Sequence, residues 1–285
     1  MNTNFIRAQK LFPGLSDADL NQVAQAFDLI AEVSDAGVSS IRPKGEDVAA
    51  ILMAVHIDLP SILAALLSDS RVEGRVNDAT IQAKFGHGVA ELVRDVIWLN
   101  KVSIYTPDMA NQPNQSETLR RMLLAMTHDV RSVLIKLAYR IQRLRGLSQE
   151  TEDIRHFIAR ETLDIYGPLA NRLGISQFKW ELEDLAFRYL EPDAYQDIEQ
   201  SLAENRSQRE TCINEFLEHL RHMLDQHQVK AKVYGRPKHI YSIWLKMRRK
   251  QLSIEDLYDL LAVRVIVEDL AACYMVLGLA HSEWQ

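Results

Sequence analysis

Cysteine residues and long apolar runs are scarce in this sequence. Its 285 residues include only Cys212 and Cys273, too few for a disulfide framework or a cysteine-based metal cage. No apolar run approaches the roughly 18–20 residues that span a bilayer, and the start, MNTNFIRAQKLF, has no signal-peptide core. Internal repeats and low-complexity segments are also lacking. These absences predict an ordinary globular protein of the cytoplasm, with no membrane partner.

Acidic residues are missing from one stretch, Gln226 to Ile254. The whole chain has 33 basic and 39 acidic side chains, for a net charge of −6. This stretch nevertheless contains eight Lys and Arg and no Asp or Glu. A basic island in an acidic protein indicates an anionic small ligand or a local phosphate contact. It does not indicate a general nucleic-acid coat, so we expect no DNA partner.

The order of residues inside the basic island is more specific than its charge. Val229 to Tyr234 alternates and predicts a strand, after which Gly235 allows a turn and Pro237 suits the first position of a helix. The N–H groups at such a helix start can bind an anion. One polar stripe is predicted on this helix, preceded by an arginine: Lys238, Ser242 and Lys246, with Arg236 ahead of them. The alternative is a solvated basic helix beside a surface strand.

The rest of the chain is predicted to be helical up to about residue 190. Ser16 is a candidate N-cap for a helix over Asp17–Val33, whose apolar residues form one stripe. Further helices are predicted over 45–56, 60–67, 77–85, 89–99, 117–147, 149–173, 177–190 and 194–226, with a surface loop over 106–116. Period-two alternation begins only after Gln228, with a second strand over 259–267 and a last helix over 270–282.

These patterns predict a mainly α protein with a C-terminal α+β part. The predicted domains are residues 1–195 and 196–285, because the switch from helical to alternating periodicity follows a proline break at Pro192.

Two long blocks carry a family resemblance. YGRPKHIYSIWLKM, followed by DLYDLLAVRVIV, resembles the synthetase domain of the long RelA/SpoT enzymes, which make and hydrolyse (p)ppGpp in the stringent response. Upstream, IYGPLANRLGISQFKWELEDLAFRYLEP resembles the segment that precedes that domain. The resemblance implies a helical HD-like bundle followed by the first half of a nucleotidyltransferase-like synthetase domain.

The resemblance also implies roles for individual residues. Asp259 would be the catalytic carboxylate and a Mg²⁺ ligand in the transfer of pyrophosphate from ATP to GTP or GDP. ATP would be bound by Arg236, Lys238, Ser242 and Lys246, with help from His239. Arg264 matches the pattern too, but five residues from Asp259 it faces the other side of a regular strand. A structural salt bridge and a ligand contact therefore both stay open for Arg264.

The HD-type hydrolase site is expected to be degenerate. The family's first His corresponds to Lys44, its His-Asp pair to Ser68 and Asp69, and its later acidic pair to Val72 and Glu73. The distal Asp corresponds to Tyr139. Only Asp69 keeps the expected ligand type, and one carboxylate does not hold a divalent ion against water. We therefore expect no Mn²⁺ in this domain, and a regulatory or scaffolding role for it.

The resemblance also leads to an expectation about the activity of this chain alone, and two alternative functions stay open. The family continues past Gln285 with a second catalytic carboxylate, and with a C-terminal half that contacts ribosome and tRNA, so the chain alone is expected to be inactive. The first alternative is a non-enzymatic regulatory module that binds a nucleotide or a partner protein. The second is an active metal phosphohydrolase, which would need an ion between Lys44, Ser68, Asp69 and Tyr139.

Overall fold

The computed structural model describes residues 3–33, 42–101, 117, 129–204, 206–257 and 260–284. The chain divides into two compact units, Met1–Leu190 and Glu191–Gln285. The boundary predicted after residue 195 lies within a helix, Pro192–Glu204. The predicted loop over 106–116 lies outside the described residues, and so does the first part of the helix predicted over 117–147.

The first unit is helical throughout its described part. Its elements are α1 (Thr3–Leu11), α2 (Asp17–Val33), α3 (Gly45–Met53), α4 (Leu59–Leu67), α5 (Asp78–Phe85), α6 (His87–Lys101), α7 (Val130–Arg145), a 3₁₀ turn (Leu147–Gln149), α8 (Glu152–Glu161), a π-helical turn (Thr162–Tyr166), α9 (Gly167–Arg172) and α10 (Ser176–Leu190). The mainly α character predicted from the sequence is confirmed.

Side-chain caps explain where several of these helices begin. The Ser16 hydroxyl accepts a hydrogen bond from the Asp19 N–H at 3.2 Å, so the predicted cap and the predicted start of α2 are confirmed. The Asp58 carboxylate accepts from the Ser61 N–H at 3.2 Å at the start of α4. These caps satisfy N–H groups that have no partner inside the helix.

Helix α4 lies at the centre of the first unit. Every residue from Ser61 to Leu67 is buried, and α4 packs against α2, α3, α6 and α7. The first residue of α3, Gly45, lies directly against its backbone. A Cβ atom on Gly45 would lie 2.7 Å from the Ala65 carbonyl oxygen and 2.8 Å from that of Leu66. Only glycine allows this close approach.

The second unit contains two helices followed by a strand–helix–strand–helix order. Its elements are α11 (Pro192–Glu204), α12 (Arg206–Gln226), β1 (Ala231–Pro237), α13 (Ile240–Lys250), β2 (Leu261–Val267) and α14 (Leu270–Glu283). The strands β1 and β2 pair antiparallel, with Val233 opposite Val265 and Tyr234 opposite Arg264. One face of this sheet packs on α12 and α14, and the other face is exposed.

The structure corrects the predicted turn at Gly235. Strand β1 continues through Gly235 to Pro237, and α13 begins only at Ile240. Gly235 allows close packing and does not form a turn, since a Cβ atom there would lie 2.8 Å from Cγ1 of Ile213 on α12, and the Ile213 side chain would have to shift. Pro237 is accordingly the last residue of a strand rather than the first residue of a helix.

None of the described helices combines the length and apolar composition that a membrane-spanning segment needs. Cys212 and Cys273 are both exposed and unpaired in disulfides.

The contact of Gly45 with α4 makes a stability prediction. Gly45→Ala should lower the free energy of unfolding by about 2–4 kcal/mol, because the new methyl group meets backbone atoms that can move only if α3 and α4 separate. Gly88→Ala is the matched control, since Gly88 lies in α6 and a methyl group there would have no other atom within 4 Å. This control should be neutral, or more stable by up to about 1 kcal/mol. Equal effects of the two substitutions in urea denaturation would contradict the packing argument.

Candidate functional sites

The first candidate site lies where β1 leads into α13. His239 is the N-cap residue of α13 and makes no side-chain cap, so the first N–H groups of the helix lack a side-chain acceptor at this position. The backbone N–H of Lys238 donates to the Leu260 carbonyl at 3.1 Å and thereby joins this junction to the start of β2. The two sequence blocks of the family resemblance therefore meet at one end of the sheet.

The predicted site residues do not all lie on the one helical stripe expected from the sequence. Ser242 and Lys246 lie one turn apart on α13, whereas Lys238 and His239 precede the helix. The backbone of Arg236 lies in β1, but its side chain is outside the described part. Asp259 is also outside the described residues. The structure therefore positions Lys238, His239, Ser242 and Lys246 at one junction and leaves Arg236 and Asp259 as expectations.

Part of the basic island has a structural explanation. Arg248, Arg249 and Lys250 are exposed in the last turn of α13, where cations complement the helix dipole. The Arg248 guanidinium also lies 5.0 Å from the Trp244 ring centroid, and Trp244 stacks on Tyr241 at 5.6 Å. These cations stabilise the helix and need no ligand. Lys238 precedes α13 and Lys246 lies within it, so neither belongs to this group in the last turn.

The exposed face of the sheet adds a residue that the sequence analysis did not select. Lys232, Tyr234, Arg264 and Ile266 all point to this face, and Tyr234, 39% exposed, lies directly opposite Arg264. Arg264 forms no ion pair with any residue in the described ranges, so the salt bridge that the sequence left open is not formed there. The alternation of Lys232 and Tyr234 along the strand was the available signal for this shared face.

The second candidate site consists of the residues that the family resemblance aligns with the ligands of an HD metal centre. Lys44 precedes α3 and is exposed, the Ser68 hydroxyl donates to the Ala65 carbonyl at 3.3 Å, and Glu73 pairs with Lys101 at 2.7 Å. Burial raises the pKa of Tyr139. In the described ranges no three His, Cys, Asp or Glu residues lie close enough to hold a metal ion.

Asp69 is engaged with the protein itself. Its carboxylate accepts hydrogen bonds from the Gly45 N–H at 2.6 Å and from the Arg71 guanidinium at 2.6 and 2.9 Å. Burial alone would raise the pKa of Asp69, but the hydrogen bonds from Arg71 and Gly45 outweigh burial and hold this pKa below its ordinary value. An ammonium, two hydroxyls and one engaged carboxylate do not fit the ligand chemistry of a divalent metal.

Two buried cations lie on α7, one turn apart. The Lys136 ammonium donates to the Asn100 side-chain oxygen at 3.0 Å, and the Arg140 guanidinium pairs with Glu161 at 2.6 Å. Both cations approach the Tyr166 ring of the π-helical turn, and the Arg140 Nε atom is buried without a hydrogen-bond partner. Burial, and then the charge of Arg140, lowers the pKa of Lys136 to about 7, although Glu161 opposes this shift.

Comparison with known proteins agrees with this arrangement. Residues 23–176 match the family described as HD domain, and residues 235–285 match the region found in RelA / SpoT proteins. The chain is 43% identical over 245 residues to a GTP pyrophosphokinase of Escherichia coli, covering 85% of this chain and 33% of that protein. A GTP pyrophosphokinase of Myxococcus xanthus is 36% identical over 276 residues, with 94% and 36% covered.

A third relative carries a different name. A probable guanosine-3′,5′-bis(diphosphate) 3′-pyrophosphohydrolase of Synechocystis is 40% identical over 235 residues, covering 82% of this chain and 30% of that protein. The chain thus spans about a third of the length of these relatives. With a match to the HD domain over more than half of its length and a match to the region found in RelA / SpoT proteins after it, the chain belongs to the RelA/SpoT family.

The pKa of Lys136 makes a pH prediction. Because the pKa is near 7 in the folded state and 10.5 in the unfolded state, folding releases a proton between these values. The free energy of unfolding should therefore rise with pH in this range, by about 2 kcal/mol between pH 6.5 and 8.5. Lys136→Met should remove this rise in urea denaturation. Lys84→Met, which replaces an exposed lysine of α5, should keep it; persistence of the full rise in Lys136→Met would contradict the assignment.

Proposed function

We propose that the protein takes part in (p)ppGpp metabolism as a GTP pyrophosphokinase, transferring pyrophosphate from ATP to the 3′-hydroxyl of GTP or GDP. The observation that carries this proposal is the junction of β1 and α13, where Lys238 precedes the helix and Ser242 and Lys246 lie one turn apart within its first two turns. That junction lies in the region shared with RelA / SpoT proteins. The names of the pyrophosphokinase relatives support the same activity.

The junction supplies the chemistry that a triphosphate needs. The N–H groups at the start of α13 favour a phosphate, since the helix dipole adds a partial positive charge there. Lys238 and Lys246 would bind phosphate oxygens, the Ser242 hydroxyl would donate a further hydrogen bond, and His239 would assist. Arg236, whose side chain is outside the described part, is assigned to ATP by resemblance.

The exposed face of the sheet would bind the rest of the nucleotide. The Tyr234 ring and the Arg264 guanidinium both offer flat surfaces on which a base can stack. This placement favours a ligand contact for Arg264 over the structural salt bridge. Tyr234 and Arg264 would orient the nucleotide while the junction holds its phosphates.

Asp259 is proposed as the Mg²⁺ ligand and catalytic carboxylate, at the entrance of β2. When bound, Mg²⁺ would supply charge neutralisation for the phosphates during pyrophosphoryl transfer. The protein's own part is to position ATP through Lys238 and Lys246 and to hold the metal at Asp259. The cytoplasm as location, and ribosome and tRNA as partners, rest on the resemblance alone.

The helical unit is proposed to be a regulatory or scaffolding domain without hydrolase activity or Mn²⁺. The geometry of Asp69 favours this function, since its oxygens are already occupied by protein donors. In the non-enzymatic alternative, the chain would be a regulatory module in which the helical unit binds a nucleotide or a partner protein and no pyrophosphate is transferred.

ATP binding tests the proposed site. Calorimetry with MgCl₂ should show ATP binding by the unaltered protein, and Lys246→Ala and Arg236→Ala should each weaken it about tenfold or more, since each removes a charge-assisted contact to phosphate. Lys250→Ala is the control, because it removes an exposed cation at the far end of the same helix. Equal losses in all three variants would indicate a nonspecific charge effect. Absence of binding would favour the non-enzymatic alternative.

A further inference from the structure

The carboxylate of Asp69 has no room left for another ligand. Its side chain is 1% exposed. One oxygen accepts from the Arg71 N–H at 2.8 Å and from Arg71 Nε at 2.9 Å. The other accepts from the Gly45 N–H and from Arg71 Nη2, both at 2.6 Å. Four donors match the roughly four acceptor positions of a carboxylate.

The charge of Arg71 interacts with more than one carboxylate. Its pKa is raised, first by the hydrogen bonds with Asp69 and then, against the effect of burial, by the charges of Asp69, Glu46 and Asp47. Burial, with the charges of Glu46 and Asp69, raises the pKa of Asp47 in turn. The Arg71 guanidinium therefore pairs directly with Asp69 and acts through its charge on Asp47 and on Glu46, which also pairs with Arg7.

We propose that Arg71 replaces the divalent cation of the HD site as a covalently attached counter-ion. Its guanidinium neutralises the acids around Asp69 and fills the coordination positions that a metal ion would need. Arg71 therefore closes the site directly. The lack of metal-ligand side chains at Lys44, Ser68 and Tyr139 is a second reason why the site does not hold a metal ion. Asp69 holds both Arg71 and the Gly45 N–H in place. This inference is independent of the proposed pyrophosphokinase function.

Thermal unfolding of the full chain, with and without MnCl₂, tests the proposal. Arg71→Ile should lower Tm by roughly 5–15 °C, because it leaves a buried carboxylate without its partner. Millimolar Mn²⁺ should not restore that loss, measured against NaCl at matched ionic strength, since the described residues around Asp69 do not supply three ligands for a metal ion. The unaltered protein should likewise show no Mn²⁺-dependent shift. The double variant Asp69→Asn, Arg71→Ile should recover part of the lost stability, because the buried carboxylate that requires the cation is gone.

Two further variants keep the test decisive. Arg71→Lys keeps a cation beside Asp69 and should fold without a response to Mn²⁺, even if Arg71→Ile proves too unstable to purify. Arg160→Ile removes an exposed arginine of the same unit and should leave Tm unchanged. A Mn²⁺-dependent rise in Tm in the unaltered protein or in Arg71→Lys would overturn the proposal. So would an Arg71→Ile variant with an unchanged Tm, or a double variant no more stable than Arg71→Ile.

Discussion

The carboxylate of Asp69 is the interaction on which the helical unit depends. It joins the start of α3 to the end of α4 through the Gly45 N–H, at the point where α3 and α4 are in backbone contact. Without a side chain on Gly45 the two helices approach closely enough for this bond to form. Arg71 then supplies the positive charge that a buried carboxylate requires. Asp69, which the family resemblance aligns with a metal ligand, links the two helices in this structure.

The interior of the same unit contains a second cluster of charged side chains, in which the balance of cations and anions is different. Lys136 and Arg140 share the single carboxylate of Glu161, and aromatic rings supply part of the remaining stabilisation. Desolvating two cations for one anion is costly, and the depressed pKa of Lys136 expresses that cost. The π-helical turn places Tyr166 against both cations. Such a turn is a common departure from regular helix where particular side chains must be positioned.

In the second unit the polar groups are directed outward. The sheet buries Val233, Val263 and Val265 against α12 and α14, while its other face exposes Tyr234 and Arg264. An exposed face with an aromatic ring beside a guanidinium, next to a helix start, is suited to a nucleotide. Here the core stabilises the sheet, and the Tyr234 and Arg264 side chains are exposed on its other face.

Local features were predictable from the sequence, and the errors were local as well. The α2 helix has the predicted bounds because its apolar period and the Ser16 cap involve residues within a few positions of one another. The start of α13 was misplaced because Gly235 and Pro237 are typical of both a turn and a strand end. Only the packing of Ile213 against Gly235 decides between these two structures.

The sequence by itself determined the chemical groups and the order of elements, since periodicity and capping act over short distances along the chain. The degenerate ligand set at Lys44, Ser68 and Tyr139 belongs to that category, because it concerns residue types alone. Tertiary structure decided what those groups do. Asp69 meets Gly45 across 24 residues, Arg140 meets Glu161 across 21, and Tyr234 meets Arg264 across 30. Charge balance and exposure depend on such contacts, and no local pattern encodes them.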